Sequence, residues 1–178
     1  MALGEIAISA YDPHWPANFA RERDNLAPLH FLAIEHFGST AIPGLRAKAV
    51  IDIMAKVESL SVVAGKLRQL ETLGYVLIAT GMPDRLFLRK EPVASAPAVH
   101  LHILLGNDFD NANERLLRDH LLTHPDLARA YGNLKDRLAS EFRNDREAYT
   151  KAKTAFIQTA VDAARDARGL PRVNVWVD

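Results

Sequence analysis

Nine consecutive residues, Ala49 to Val57 (AVIDIMAKV), form an apolar run of strand length with one carboxylate near its middle. Such a run, uninterrupted by Gly or Pro, predicts a β-strand inside a core and constrains the rest of the chain to build around it. Alternate side chains of a strand point to opposite faces. Ile51, Ile53, Ala55 and Val57 therefore share a face suited to burial, and Val50, Asp52, Met54 and Lys56 share the other. A carboxylate in so apolar a setting is costly unless it is paired or coordinated, which marks Asp52 as a functional candidate.

The flanking sequence predicts an α/β (α+β) fold. Tyr11 to Leu29 reads as a turn into a helix, with Asp12-Pro13 and Trp15-Pro16 at its entry. Phe31 to Phe37 has the length of a strand and ends in Gly38-Ser39-Thr40. A helix is expected over Ser59 to Leu73, stopped by Gly74. Strands are expected over Tyr75–Ala79, Arg85–Lys90 and Ala98–Leu105, with Glu91 to Pro97 as a loop. Beyond Gly106 the pattern is helical to about Arg168, with breaks near His124-Pro125 and Arg143-Asn144. The tail Arg172 to Val177 is β-like and is expected to add an edge strand, in this subunit or in the partner of a homodimer.

With 178 residues the chain has the size of one domain. The expected organisation is a sheet-containing core over 1–106, a helical subdomain over 107–168 and the tail over 169–178. Lys+Arg and Asp+Glu each number 22, so bulk charge gives no support for binding long nucleic acid, although a local basic pocket for a small anion remains open. There is no cysteine, which rules out disulfides and thiolate metal sites. The N-terminus lacks a secretory signal pattern and no window is apolar enough to span a membrane, so a cytoplasmic protein is expected.

The same alternation places His100 and His102 on one face of their strand, and Arg85, Phe87 and Arg89 on one face of theirs. If these strands share a sheet with Asp52, one surface displays an acid, two imidazoles and two guanidiniums. A carboxylate with two imidazoles suits Zn, Mn, Fe or Ni, and arginine grips phosphate with two parallel bonds. Upstream, Gly38 lets an anion approach the backbone, and Ser39 and Thr40 offer hydroxyl donors. The loop between Gly38 and Asp52 carries Arg46 and Lys48. His14, His30, His120 and His124 form no metal-ligand spacing.

The stretch from His36 to Ile53 (HFGSTAIPGLRAKAVIDI) resembles the signature of the GrpB family, which is grouped with the DNA polymerase beta-like nucleotidyltransferases. The resemblance extends to Tyr11-Asp12 with Trp15-Pro16, to Val99-His100-Leu101-His102, and to Tyr131, Lys135, Asp145, Tyr149 and Lys153. It implies a mixed sheet flanked by helices with a C-terminal helical subdomain. In the wider superfamily the Gly-Ser pair holds nucleotide phosphate, two acids one residue apart bind divalent metal, and a third acid stands on a later strand. Gly38, Ser39 and Asp52 match that pattern, but Met54 occupies the place of the second acid, and His100 and His102 occupy the later strand. Methionine is no substitute for a hard oxygen ligand.

The resemblance implies that Lys135 and Lys153 reach nucleotide phosphates and that Tyr131 and Tyr149 stack on a base or pack between helices. The expected activity is transfer of a nucleotidyl group, AMP first, from an NTP to a small acceptor. Asp52 with His100 or His102 would hold Mg or Mn, or Zn through the imidazoles, while Ser39, Thr40, Lys48 and Arg85 clamp the triphosphate. Two alternatives stand beside it. One is a nucleotide-binding module without transfer, and the other is a metal-dependent hydrolase or phosphotransferase on the two-histidine strand.

Overall fold

The expected central strand is present as β2 (Val50–Val57), and it lies one place in from the edge of a five-stranded mixed sheet. A computed structural model describes residues 6–82, 84–94 and 96–175. β1 (Ala33–Phe37) pairs antiparallel with one side of β2. The other side of β2 pairs in parallel with β5 (Ala98–Leu105), which continues antiparallel through β4 (Arg85–Lys90) to β3 (Tyr75–Ile78). The order is β1-β2-β5-β4-β3, a mixed sheet flanked by helices as expected.

Ile51, Ile53, Leu101 and Ile103 are fully buried on one face, among Trp15, Leu26, Val63, Leu70 and Leu88. Each such side chain contributes about 1.5–3 kcal/mol of burial. Helix α1 (Trp15–Leu26) starts with Pro16 in its first turn, where the missing N–H costs nothing, and supplies Trp15 and Leu26 to this layer. The single helix expected over 59–73 is split into α2 (Ser61–Ala64) and α3 (Leu67–Thr72). Gly65, a weak helix former, sits at the break. Val63 and Leu70 are nevertheless both buried, so the apolar stripe survives the interruption.

The opposite face meets the C-terminal helices α4 (Gly106–Asp110), α5 (Asn113–Thr123), α6 (Pro125–Glu141), α7 (Arg146–Ala152) and α8 (Thr154–Asp166). The breaks at His124-Pro125 and 143–144 are where the sequence predicted them; the one at Lys153 carries no Gly or Pro and was not foreseen. Met54, fully buried, packs there with Phe37, Leu104, Phe109 and Ala112. Among the described residues, no helix is long and apolar enough to cross a membrane.

Residues 170–175 carry no ladder pairing with the sheet of this subunit. The Gln158 side chain takes up their backbone instead, donating to the Val173 carbonyl at 2.9 Å and accepting from the Val175 N–H at 3.0 Å. The buried Arg165 guanidinium adds a 2.6 Å bond to the Pro171 carbonyl. Trp176 and Val177 lie outside the described residues.

Candidate active site

Between β1 and β2 the chain makes the turn on which the site is built. Gly38 has φ of +69°, and a Cβ placed on it would lie 2.3 Å from the Asp52 carboxylate oxygen. The backbone at residue 38 and the Asp52 side chain therefore occupy adjoining space that only glycine leaves open. Gly38→Ala is expected to cost about 1–2 kcal/mol through the left-handed backbone alone and to push the Asp52 carboxylate out of position. Chemical denaturation measures the first effect; loss of any ligand response in a variant that still folds reports the second.

Asp52 and His100 face each other across the parallel β2–β5 pairing, which puts them in register. His100 Nδ1 lies 3.3 Å from Asp52 Oδ1, with the side chains 32% and 26% exposed, so the pair is open to a ligand. Of the acid, two imidazoles and two guanidiniums that alternation suggested for one surface, this pair is the part that lines the pocket. Ser39, in a short 3-10 turn (Ser39–Ala41), accepts a 2.9 Å hydrogen bond from Lys135 Nζ of α6. Lys135 also donates to the Arg46 carbonyl and is only 3% exposed. Burial, with the Lys153 charge behind it, pulls the Lys135 ammonium down to about 7.

Lys48 and Lys153 place their ammonium groups over the Tyr149 ring, at 4.7 and 4.3 Å from its centroid. Burial and then the Lys48 charge lower Lys153 to about 8, against the pull of Asp52. Burial and then Arg146 lower Lys48 as well. Burial raises the Tyr149 phenol to about 12 and the Tyr131 phenol further, so both remain neutral hydroxyl donors at neutral pH. Ser39, Lys48, Asp52, His100, Lys135 and Lys153 all line one pocket of about 180 Å³, together with Ile8, Tyr131 and Tyr149. Three ammonium groups from three separate segments thus meet one carboxylate and one imidazole.

Other expectations are corrected. Thr40 also borders the pocket, but it is 1% exposed and its hydroxyl proton goes to the Val50 carbonyl at 2.9 Å. With that proton committed, His36 Nε2, 3.0 Å away, must be the donor to Thr40 Oγ1. The hydroxyl therefore braces the turn and has no proton left for phosphate. Arg85 is held by Asp84 at 2.9 Å and Glu114 at 2.6 Å, outside the pocket. Arg89 pairs with Glu91. His102 stands in register beside Met54, its ring between Phe37 at 5.3 Å and Phe87 at 4.8 Å. Burial there lowers its imidazole to about 4, and its Nδ1 has no hydrogen-bond partner among the described residues.

The metal set expected from Asp52, His100 and His102 is consequently not assembled. Among the described residues, no three acid or imidazole groups come together in a way that could hold a metal ion. Met54 supplies methyl and thioether surface to an apolar cluster where a second oxygen ligand would be needed. The donor groups at the pocket do not fit a two-metal centre.

Some participants were missed in the sequence. Ile8 reaches the pocket because Ser9 and Ala47 exchange backbone hydrogen bonds at 2.9 and 3.1 Å, and nothing in the local pattern signals that pairing. His36 stacks on Phe19 at 4.8 Å on the far side of the sheet, and its backbone carbonyl accepts a 2.7 Å bond from Arg118. Burial keeps the His36 imidazole near 4 and so neutral, which fits its role as the donor to Thr40.

The five-stranded mixed sheet with its flanking helices is a nucleotidyltransferase-like fold. Terminal uridylyl transferase 4 from Trypanosoma brucei, solved with bound GTP, shares the fold with a TM-score of 0.51 at 16% identity, over 94% of this chain and 54% of that one. The chain belongs to the GrpB family, whose model, described as GrpB protein, matches residues 5–163. The crystal structure of conserved protein GrpB from Enterococcus faecalis superposes with a TM-score of 0.82 at 30% identity, covering 92% of this chain and 99% of that one. The UPF0157 protein PA4798 of Pseudomonas aeruginosa is 35% identical over 94% of this chain and 71% of its own length. The UPF0157 protein YqkA of Bacillus subtilis is 30% identical over 90% of this chain, which spans 48% of that relative.

Proposed function

We propose that the pocket holds the phosphates of a nucleoside triphosphate, and that the protein transfers the nucleotidyl group, AMP from ATP in the first instance, to a hydroxyl of a small acceptor. The observation that carries this reading is the convergence of Lys48, Lys135 and Lys153 on a pocket that also holds the Asp52–His100 pair. Ammonium groups in a partly dehydrated pocket favour a polyanion and stabilise charge that develops on phosphorus. His100, with Nδ1 3.3 Å from the Asp52 carboxylate, is the group placed to act as general base, since the neighbouring carboxylate favours the protonated ring that results. The acceptor oxygen gives its proton to His100 and bonds the α-phosphorus, the bond from that phosphorus to the β-phosphate oxygen breaks, and pyrophosphate leaves. The donor groups of the protein do not build a centre for Mg or Mn, so any divalent metal taking part would have to come bound to the nucleotide.

A second reading, nucleotide binding without transfer, draws on Met54, fully buried where the superfamily pattern has an acid. The hydrolase reading on the histidine strand finds no support, because His102 lies between Phe37 and Phe87 and away from the pocket.

Calorimetric titration of ATP, GTP, CTP and UTP tests both readings, with water as surrogate acceptor for slow release of AMP and pyrophosphate. Asp52→Asn removes a negative charge from the pocket, so it should bind ATP at least as tightly as the parent chain. It should lose the slow release by about 100-fold, the scale of a disabled general base. Binding with no release by the parent chain establishes the second reading, and no binding of any of the four nucleotides overturns both.

A further inference from the structure

The pocket carries a charge pattern opposite to that of a metal centre. Three ammonium groups face one carboxylate, and the position that would hold a second acid, Met54, is closed into the cluster of Phe37, Leu104 and Phe109. The imidazole beside it, His102, is walled off by Phe37 and Phe87. A divalent cation approaching Asp52 therefore meets lysines in place of further acids, while a polyphosphate meets three lysine side chains fixed in place, whose protonated form its own charge favours. Two are held over the same Tyr149 ring, and the third is tied to Ser39 Oγ and the Arg46 carbonyl.

We propose that Lys48, Lys135 and Lys153 supply the charge neutralisation that a metal pair supplies in two-metal phosphoryl chemistry, so that the pocket takes a free polyphosphate in preference to its Mg²⁺ complex. The proposal rests on the phosphate reading above and names the form in which the ligand enters. Its physical basis is competition. Mg²⁺ bridges the same β- and γ-oxygens that the lysines would contact, and it lowers the ligand's charge by two before the ligand reaches them. At distances of a few ångström and an effective dielectric constant of about 20, each unit of charge lost weakens attraction to an ammonium substantially. Lys135 cannot relax toward solvent to compensate, because it is buried and committed to Ser39.

The test is calorimetric titration of ATP, and separately of inorganic triphosphate, into the protein in EDTA and again in excess Mg²⁺. Lys153→Met and Lys48→Met are titrated in parallel, after circular dichroism has shown each folded. ATP is expected to bind in EDTA about 5–10-fold more tightly than in Mg²⁺, with triphosphate following the same order. Each variant is expected to weaken the EDTA binding by about tenfold or more and to narrow the difference between the two conditions. Binding that needs Mg²⁺ overturns the proposal and leaves the phosphate reading standing. Equal binding in EDTA and Mg²⁺, or variants that bind as the parent does, also overturns it. Absence of binding under both conditions removes the phosphate reading itself, and the proposal with it.

Discussion

Replacing Met54 by aspartate, the acid that the superfamily pattern calls for, is expected to unfold much of the protein rather than complete a metal centre. Met54 is fully buried against Phe37, Leu104, Phe109 and Ala112, in register with His102. A carboxylate there would stand among apolar side chains beside Glu35, its register partner, which already engages Arg115 and Arg118, and an uncompensated buried charge costs about 3–5 kcal/mol. That is a large share of the roughly 5–15 kcal/mol that holds a domain together. The loss should shrink as pH falls and the new carboxyl becomes neutral, because protonation removes the charge that burial penalises. Urea unfolding at pH 5 and pH 7.5 measures it, with Met54→Leu as a control expected to stay within about 1.5 kcal/mol of the parent. Millimolar Mg²⁺ should not restore Met54→Asp. Recovery on adding Mg²⁺ would show that the position still forms a metal site, against the fit argued from the donor groups.

Lys135→Met carries the opposite sign. Lys135 is 3% exposed and held near pH 7 by burial and by Lys153, against an unperturbed value of 10.5. Below pH 7 the side chain is charged in both the folded and the unfolded chain, and the full burial penalty opposes folding. Between 7 and 10.5 the folded chain has released the proton while the unfolded chain keeps it. The unfolded state then binds more protons, and stability rises with pH. Removing the ammonium lifts the penalty, offset by the hydrogen bonds to Ser39 and Arg46 that are lost with it. A net gain of about 3 kcal/mol at pH 6 is expected, or roughly 5–10 °C in Tm, shrinking toward zero by about pH 10. The same variant should lose binding of polyphosphate, the trade between stability and function usual for a charged site. A variant less stable than the parent at pH 6 would mean that the strut to Ser39 outweighs the burial of its charge.

The contrast between these two sites shows where the sequence was readable. Period-two alternation placed Asp52 and His100 on one face, and the register confirms it, because strand geometry is local and a neighbouring strand inherits it. The bounds of β4 and β5 were readable because turn-forming residues flank both segments. Arg85 was misread because its partner Glu114 stands on a helix whose docking no local pattern describes. His102 was misread because its walls come from two other strands, through Phe37 and Phe87. Thr40 looked like a phosphate donor until the Val50 carbonyl, brought close by the turn, took its proton. Lys48 was visible in the loop before Asp52, Lys135 and Lys153 were named through resemblance to a family, and the convergence of all three is a tertiary fact.

The bond from Lys135 to Ser39 spans 96 positions of sequence, and the one to Arg46 spans 89. Contacts of such separation form late, since the loop they close must be gathered first. During synthesis at the ribosome, all five strands are available before α6 has emerged, yet the ligand pocket lacks its wall and two of its three cations until the last third of the chain docks. A stalled or truncated chain can therefore assemble the sheet without acquiring the pocket, and ligand response reports completion of folding rather than its onset.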